Sequence, residues 1–342
     1  MSIDKKSGAF LLLAVAVAVA AAVALWPNSA PEDASIAPVS KSPVPEVRYC
    51  DRVEDWEACW GREFAGLDRT TEFTPAAVSD ATAYTRHVRW AYTVRNLEDV
   101  TAERLDLWFH APADLPRQRL LRLSLSHAGA MARDSAGNRI VHVDLGPMAP
   151  RETKVVRVLA TVGMAGGAIS SERPEDFWLE PAPLAEADNP DVMKNAARLK
   201  AKTPYETARR IFHFAADEVP RGAFDPTDRG ALYALKNRGG DCTEAALLFT
   251  ALCRAAGVPA RALTGYVVDR DRVLKTSDLH NWAQFFDQGR WRLADPYYGI
   301  FDDAYENHLA TEIMTGRGTT PLGGYHNYRY DGHGLDFAVT ME

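Results

Sequence analysis

Three residues in the C-terminal half have side chains that together could form an activated thiol: Cys242, His280 and Asp295. The cysteine follows two glycines and an aspartate, in the segment GGDCTEAALLF, where a helix is predicted to begin. Unpaired backbone N–H groups and the helix dipole favour a thiolate at such a position, so the sequence predicts a lowered pKa for this cysteine. Asp241 opposes this effect electrostatically, although it could also cap the helix.

The histidine and the aspartate lie at the ends of two predicted strands. His280 opens HNWAQFF, Asp295 ends RWRLADP, and a tight turn at residues 287–289 makes the two strands neighbours. A thiolate nucleophile needs an imidazole to exchange its proton and a third group to orient that imidazole. Each residue also has an ordinary interpretation: packing for the cysteine, a surface position for the histidine, and a turn before Pro296 for the aspartate. Taken together, they support the hypothesis of a Cys–His–Asp triad.

The remaining cysteines suggest structural roles. Cys253 lies three turns further along the same predicted helix as Cys242, too far for a disulfide with it, so we interpret Cys253 as buried packing. Cys50 and Cys59 precede both predicted folded regions, and a disulfide between them would close a small loop.

These candidate residues require a mixed set of helices and strands to position them. Thr203-Pro204-Tyr205-Glu206 has the pattern of a capping box with proline at the first helical position. Further helices are predicted at 230–236 and from Cys242 to just before Gly257, followed by strands at 260–268, 281–286 and 290–294. Helices followed by strands predict an α+β domain over residues 186–342.

The preceding region has the period-two pattern of β-strands. Over residues 70–165, apolar side chains alternate with polar ones in several short runs separated by polar turns, which predicts an antiparallel β-sandwich. One face of each run is apolar, as in Val88, Trp90, Tyr92 and Val94; Leu105, Leu107 and Phe109; Leu121, Leu123 and Leu125; Val141 and Val143; and Val156 and Val158. No catalytic side chains cluster here, so a spacer or docking role is expected.

The N-terminus predicts a membrane location. Lys5 and Lys6 precede an uncharged apolar run over residues 9–26, so residues 1–26 are interpreted as a signal anchor or transmembrane helix. This orientation places the body of the protein outside the cytoplasm, in the periplasm; the alternative is secretion after cleavage near Ala22-Val23-Ala24. Residues 27–69 are rich in Pro, Ser and Ala and predict a tether that includes the possible disulfide loop.

Composition excludes several function classes. The 342 residues are 46% hydrophobic and 25% charged with a net charge of −7, which is typical of globular domains and argues against nucleic acid as a partner. No zinc-type spacing, phosphate-binding loop or dinucleotide fingerprint occurs. His326 and His333 lack regular metal-ligand spacing, so neither a metal nor another cofactor is expected. The oligomeric state is left open.

A run of motifs around Cys242 resembles the transglutaminase-like superfamily. The run comprises Gly240-Asp241-Cys242, the segment from Arg254 to Arg261, Gly265-Tyr266, His280-Asn281-Trp282, and the segment from Trp291 to Pro296. The resemblance covers residues from about 190 to 299. VPRGAF departs from it, standing where members often have a short strand ending in tyrosine. A β-sandwich before such a core also resembles many exported bacterial members.

The resemblance implies a papain-like fold and acyl transfer through a thioester on Cys242. His280 would exchange the proton, Asp295 would orient the imidazole, and the Cys242 backbone N–H would bind the oxyanion. Trp282 would wall the site and contact substrate, or alternatively pack in the core. The expected partner is a protein or peptide substrate cleaved or modified at peptide, isopeptide or glutamine amide bonds, with hydrolysis favoured over transfer to an amine. The alternative is a non-catalytic binding or scaffolding module on the same fold.

Overall fold

The protein is described by a computed structural model that covers residues 71–73, 84–133, 136–164, 176–220, 222–225, 227–315, 322 and 327–342. The strands, in chain order, are β1 Thr71–Phe73, β2 Tyr84–Asn96, β3 Asp106–Ala111, β4 Gln118–Leu125, β5 Gly129–Arg133, β6 Arg139–Asp144, β7 Thr153–Met164, β8 Ala260–Val267, β9 Arg272–Val273, β10 Leu279–Asp287, β11 Arg290–Asp295, β12 Ile300–Phe301, β13 His308–Met314, β14 Tyr328–Asp331 and β15 Phe337–Met341. The α-helices are α1 Pro190–Leu199, α2 Pro204–Glu218, α3 Gly230–Asn237 and α4 Cys242–Ala255.

Two sheets are built mainly from the N-terminal half. A six-stranded sheet has the order β1-β4-β7-β2-β15, with β9 paired in parallel to β2, and a four-stranded sheet has the order β14-β3-β6-β5. Their apolar faces contribute to one core, which includes Val88, Trp90 and Phe109 as the alternating pattern predicts. A β-bulge between Leu120 and Arg122 shifts the pattern in β4, so Leu120 enters the core where the sequence had indicated Leu121.

A buried carboxylate joins these strands to the C-terminal segment. Asp106 accepts hydrogen bonds from Arg104 at 2.7 Å, from His333 at 2.7 Å and from His142 at 2.5 Å. Burial raises the pKa of this carboxyl, but the three hydrogen bonds outweigh burial and lower the pKa to about 2. The ionised form therefore predominates through the neutral range.

Four helices and a five-stranded sheet form the other half. The Thr203 side chain caps α2 by accepting from the Glu206 N–H, with proline at the first helical position, as predicted. Helix α4 is buried along most of its length and packs against β8, β10 and β11, which belong to a sheet of order β12-β11-β10-β8-β13. Gln288 and Gly289 both have positive φ and close the hairpin between β10 and β11, because this turn type requires left-handed backbone.

Strand β13 connects the five-stranded sheet to the N-terminal sheets. The Gln118 side chain donates to the Ala310 carbonyl at 2.7 Å and accepts from the Ala310 N–H at 2.8 Å. Asn138 makes the same pair of bonds with Ile313, at 3.0 and 2.6 Å. The C-terminal strands β14 and β15 pair with β3 and β2. All described residues belong to one compact unit.

The architecture is therefore mixed, with helices and largely antiparallel sheets. The predicted membrane anchor over residues 1–26, the tether and the Cys50–Cys59 disulfide lie outside the described residues. Among the residues that the structure does describe, no helix is both long and apolar enough to cross a membrane. The division into domains at 70–165 and 186–342 stays a prediction.

Candidate active site

Cys242 is the first residue of α4, and a capping box fixes its position. The Asp241 side chain accepts from the Thr243 N–H at 2.8 Å, and the Glu244 carboxylate accepts from the Asp241 N–H at 3.1 Å. Glu244 also accepts from the Arg229 N–H at 2.9 Å, although its side chain is almost fully buried. These reciprocal bonds satisfy the N–H groups of Asp241 and Thr243 on either side of the cysteine and fix the start of the helix.

Gly240 is required by the same capping arrangement. A Cβ atom at this position would lie 2.4 Å from the Cβ of Glu244, inside van der Waals contact. Gly240 therefore lets the Glu244 side chain fold back over the helix start.

Burial raises the pKa of the Cys242 thiol to about 12, and the charge of Asp241 adds to this effect. The backbone N–H of Asn281 hydrogen-bonds the sulfur, and the Cys242 N–H at the helix start also lowers the pKa, but together they do not offset burial. The lowered pKa predicted from the helix start is therefore wrong. The resting thiol is neutral, so it needs a base at the moment of reaction.

His280 and Asp295 form a short hydrogen bond. His280 Nε2 lies 2.7 Å from Asp295 Oδ2, and both side chains are buried. Asp295 Oδ1 accepts the Tyr298 backbone N–H at 3.0 Å, and a second imidazole, that of His308, lies 3.2 Å from Oδ2. Burial raises the pKa of Asp295, but the hydrogen bonds from His280 and His308 outweigh it, so the net shift is downward and the carboxylate is ionised.

A hydrogen bond joins the residue after Cys242 to the residue after His280 and so holds helix α4 against strand β10. The Asn281 side-chain amide donates to Thr243 Oγ1 at 2.7 Å, and both groups are buried. Because the Asn281 N–H also bonds the Cys242 sulfur, the start of α4 lies directly against the start of β10. The structure thus brings Cys242, His280 and Asp295 into one region. With Nε2 of His280 committed to Asp295, its Nδ1 is the nitrogen that remains for a thiol proton.

The segment that holds this geometry also carries a sequence signature. Residues 193–296 match the transglutaminase-like superfamily. The chain contains a transglutaminase-like domain.

Solved structures extend the similarity in fold beyond that segment. A candidate cysteine protease from Cytophaga hutchinsonii has a TM-score of 0.56 at 15% identity, covering 80% of this chain and 91% of that one. The periplasmic domain of TgpA from Pseudomonas aeruginosa has a TM-score of 0.34 at 17% identity, covering 70% of this chain and 98% of that one. Comparison with curated proteins gave no match. At these identities the first similarity concerns the fold alone, and the second is too distant to support an inference.

Aromatic rings surround the imidazole in the transglutaminase-like domain. Trp282 is 1% exposed, and its ring lies 6.1 Å from that of His280 and 5.1 Å from that of His308. Its predicted contact with substrate stays a prediction; the geometry supports packing behind both imidazoles. Tyr298 stacks on His280 with ring centroids 4.2 Å apart and is 45% exposed, so it separates the imidazole from solvent on the outer side.

The loop at residues 222–225 lies beside the cysteine of the domain. The Gly222 carbonyl accepts from the Tyr297 hydroxyl at 2.8 Å, and the Asp225 N–H donates to Asp241 at 3.0 Å. Phe224 between them is 68% exposed. This loop occupies the chain segment where VPRGAF departs from the family pattern, and its two bonds hold it against Asp241 at the helix start and against Tyr297.

Sequence reasoning missed His308, Tyr298 and the Asn281–Thr243 bond. His308 opens strand β13, where an apolar run begins, and nothing in its spacing from Asp295 indicates a contact. Tyr298 lies two residues beyond the motif that ends at Pro296, and its type gives no sign that it stacks on His280. Cys253 is fully buried in the helical core, in agreement with its interpretation as packing.

Within the described ranges, one group of side chains has a spacing that could hold a metal ion: one atom each from His280, Asp295 and His308, all within 4.8 Å. Two features argue for hydrogen bonding instead. Both Nε2 atoms contact the same carboxylate oxygen at hydrogen-bond distance, and the other nitrogen of His308 lies at hydrogen-bond distance from the Ala304 carbonyl oxygen.

Proposed function

We propose that this chain is a thiol enzyme that forms a thioester on Cys242 and acts on peptide, isopeptide or glutamine amide bonds. The observation that carries the proposal is the hydrogen bond between His280 and the buried, ionised Asp295, held beside the cysteine by the Asn281–Thr243 bond. This combination supplies a nucleophile, a base of fixed tautomer and an orienting carboxylate.

The first half-reaction transfers an acyl group to sulfur. Because burial keeps the Cys242 thiol neutral, His280 accepts its proton as the sulfur attacks the amide carbonyl. Asp295 stabilises the resulting imidazolium, which then protonates the departing amine or ammonia. The backbone N–H of Cys242 at the helix start is the proposed oxyanion donor, a contribution of about 3–4 kcal/mol in enzymes where one donor was removed.

The second half-reaction resolves the thioester. Water or an amine attacks the thioester carbonyl after His280 removes its proton, and the Cys242 thiol is regenerated. Hydrolysis is the favoured outcome of the proposal, with transfer to an amine as its competitor. The choice depends on which nucleophile reaches the thioester carbonyl past Tyr298 and the loop that carries Phe224, both of which are exposed.

The proposal also includes a location. The apolar run at residues 9–26, behind Lys5 and Lys6, would anchor the chain in the inner membrane with the enzyme outside the cytoplasm. The two N-terminal sheets would then act as a β-sandwich that spaces or docks the transglutaminase-like domain.

Thiol labelling of the full-length chain tests the proposal without a known substrate. Iodoacetamide labelling is followed by mass mapping of the Cys242 and Cys253 peptides over pH 6–9 in wild type and in His280→Ala. We expect Cys242 to react much faster than buried Cys253 and to lose that advantage in the variant. Equal, slow labelling of both cysteines would refute the enzyme and favour a scaffolding role.

A second assay separates the two outcomes of the thioester. The full-length chain is incubated with a glutamine-containing peptide and a labelled primary amine, with Cys242→Ser as the control. Release of ammonia or peptide without incorporated label indicates hydrolysis, and incorporation indicates transfer.

A further inference from the structure

His308 shares the carboxylate oxygen that orients His280. Its Nε2 lies 3.2 Å from Asp295 Oδ2, the atom that His280 Nε2 contacts at 2.7 Å. The side chains of His308 and Asp295 are 1% and 0% exposed, so water does not compete for this contact. A buried contact to an ionised acceptor is stronger than the same contact at the surface.

The second nitrogen of His308 identifies the proton that the ring donates. Nδ1 lies 3.0 Å from the Ala304 carbonyl oxygen, which can only accept a hydrogen bond. An ionised carboxylate also only accepts. Both ring nitrogens therefore face acceptors, and both contacts are hydrogen bonds only if the ring carries a proton on each nitrogen.

Packing fixes the ring in this position. Trp282 meets the His308 ring edge to face at 5.1 Å, and β13 pairs with β8 from His308 onward. Gly265 on β8 lies opposite both His280 and Ala310, and a Cβ there would be 2.1 Å from the Leu309 carbonyl oxygen. The glycine therefore allows β13 to approach closely enough for His308 to reach the carboxylate.

We infer that His308 is a positioning residue for the proposed reaction, donating from Nε2 to Asp295 Oδ2 and so holding that carboxylate ionised and turned towards His280. The catalytic consequence of this inference rests on the proposed function. The hydrogen bond between His308 and Asp295 does not depend on it. The titratable groups that face Asp295 are His280 from β10, His308 from β13 and the Cys242 thiol from α4.

This role explains how the Asp295 carboxylate stays ionised while the His280 imidazole gains and loses a proton during the reaction. When His280 gives its proton to the leaving group, it loses positive charge, and Asp295 would be left buried with weaker compensation. A second donor that does not take part in proton transfer keeps the carboxylate ionised through this stage. His280 is therefore returned to the same tautomer for the second half-reaction.

Two substitutions in the full-length chain test the inference. His308→Leu removes the donor and fills the space, and His308→Gln keeps an N–H near the position of Nε2. The carboxyl carbon of Asp295 is followed by NMR in protein labelled with [¹³C]aspartate, with the resonance assigned by its loss in Asp295→Asn. We expect its titration midpoint to rise by about one pH unit in His308→Leu, and to return towards wild type in His308→Gln.

The pH dependence of Cys242 labelling tests whether His308 affects the reaction. The acid limb of the Cys242 labelling rate is expected to move to higher pH in His308→Leu and to be restored by His308→Gln. A merely structural role would lower stability or rate in both variants and leave both midpoints unchanged.

The outcomes distinguish the inference from the proposed function. An Asp295 midpoint that is the same in wild type and His308→Leu overturns the inference even if Cys242 is reactive. A shifted midpoint with an unreactive Cys242 in wild type overturns the proposed function and leaves the contact standing. Stoichiometric zinc in the purified chain, with an Asp295 shift that disappears on chelation, would also overturn the inference.

Discussion

Replacing Asp295 with asparagine removes the charge of the buried carboxylate and changes little of its volume. The amide oxygen can still accept the Tyr298 N–H, but the amide nitrogen then faces two imidazole N–H donors, those of His280 and His308. To avoid this repulsion His280 must change tautomer, which places a proton on Nδ1 and leaves no nitrogen to accept the thiol proton.

The expected loss of acylation rate in Asp295→Asn follows from the hydrogen bonds that the substitution removes. Two charge-assisted hydrogen bonds, each worth about 1.5–3 kcal/mol, amount to about 3–6 kcal/mol. At 1.36 kcal/mol per factor of ten, we expect acylation of Cys242 to slow by about 10²- to 10⁴-fold. The assay is the burst of p-nitrophenolate from p-nitrophenyl acetate, with the acetyl group located on the Cys242 peptide by mass spectrometry. This leaving group needs no protonation, so the burst reports on proton removal from the thiol.

Asp287→Asn is the matched control. Asp287 is a buried carboxylate on the same strand as His280, and it accepts from Arg292 Nε at 3.1 Å. Its substitution should cost about 1–3 kcal/mol of stability, because Arg292 loses the charge of one buried partner but keeps Asp302, yet leave the burst rate within about threefold of wild type. An Asp295→Asn variant that acylates within tenfold of wild type would refute the tautomer argument.

Three further substitutions test the packing and the electrostatics. Gly265→Ala should lower the free energy of unfolding in urea by about 1–3 kcal/mol, because the methyl group would lie 2.1 Å from the Leu309 carbonyl oxygen. Thr243→Val preserves shape but removes the acceptor of the buried Asn281 amide, so we expect a loss of about 1–3 kcal/mol in urea and a slower acylation burst. Asp106→Asn should make the free energy of unfolding depend less on pH in the acid range. With a pKa lowered from 3.8 to about 2, the carboxylate stabilises the fold above pH 3.8, and this stabilisation is lost as the pH falls towards 2. Acid unfolding followed by circular dichroism measures the difference.

Controls make these three outcomes decisive. Gly299 has a positive φ, and no atom of the described residues lies within 4 Å of the position that an added methyl group would take, so Gly299→Ala should cost only about 1 kcal/mol of backbone strain. A Gly265→Ala variant no less stable than Gly299→Ala would contradict the close approach of β13. Unchanged urea stability in Thr243→Val, or an acid profile of Asp106→Asn parallel to wild type, would contradict the other two.

Local patterns in the sequence were sufficient to predict most helices and strands. The cap at Thr203, the start of α4 at Cys242 and the turn between β10 and β11 each depend on a few adjacent residues, and all three are present in the structure. The bulge in β4 could not be predicted, because it depends on pairing with β7 and leaves no mark in the alternation of leucines. The pairing of β15 with β2 could not be predicted either, because it joins segments that are far apart in the chain.

Only the site residues that stand in sequence motifs could be predicted. Cys242, His280 and Asp295 stand in adjacent motifs, so their types and order could be recognised, although their roles still await the experiments above. His308 comes from a strand that reaches the carboxylate through long-range pairing with β8, which no local spacing encodes. The direction of the thiol pKa was predicted wrongly because the helix start was visible in the sequence and the burial around it was not.

Strand β13 has a thermodynamic consequence for the whole described unit. Its backbone is hydrogen-bonded on one side to β8 and, at Ala310 and Ile313, to the Gln118 and Asn138 side chains of the N-terminal sheets. If either half unfolded alone, buried polar groups of the other half would therefore lose their hydrogen-bond partners. Unfolding should be cooperative, with a single transition and one slope against denaturant. A fragment beginning near residue 186 would carry β14 and β15 without β3 and β2, and β13 without the Gln118 and Asn138 side chains.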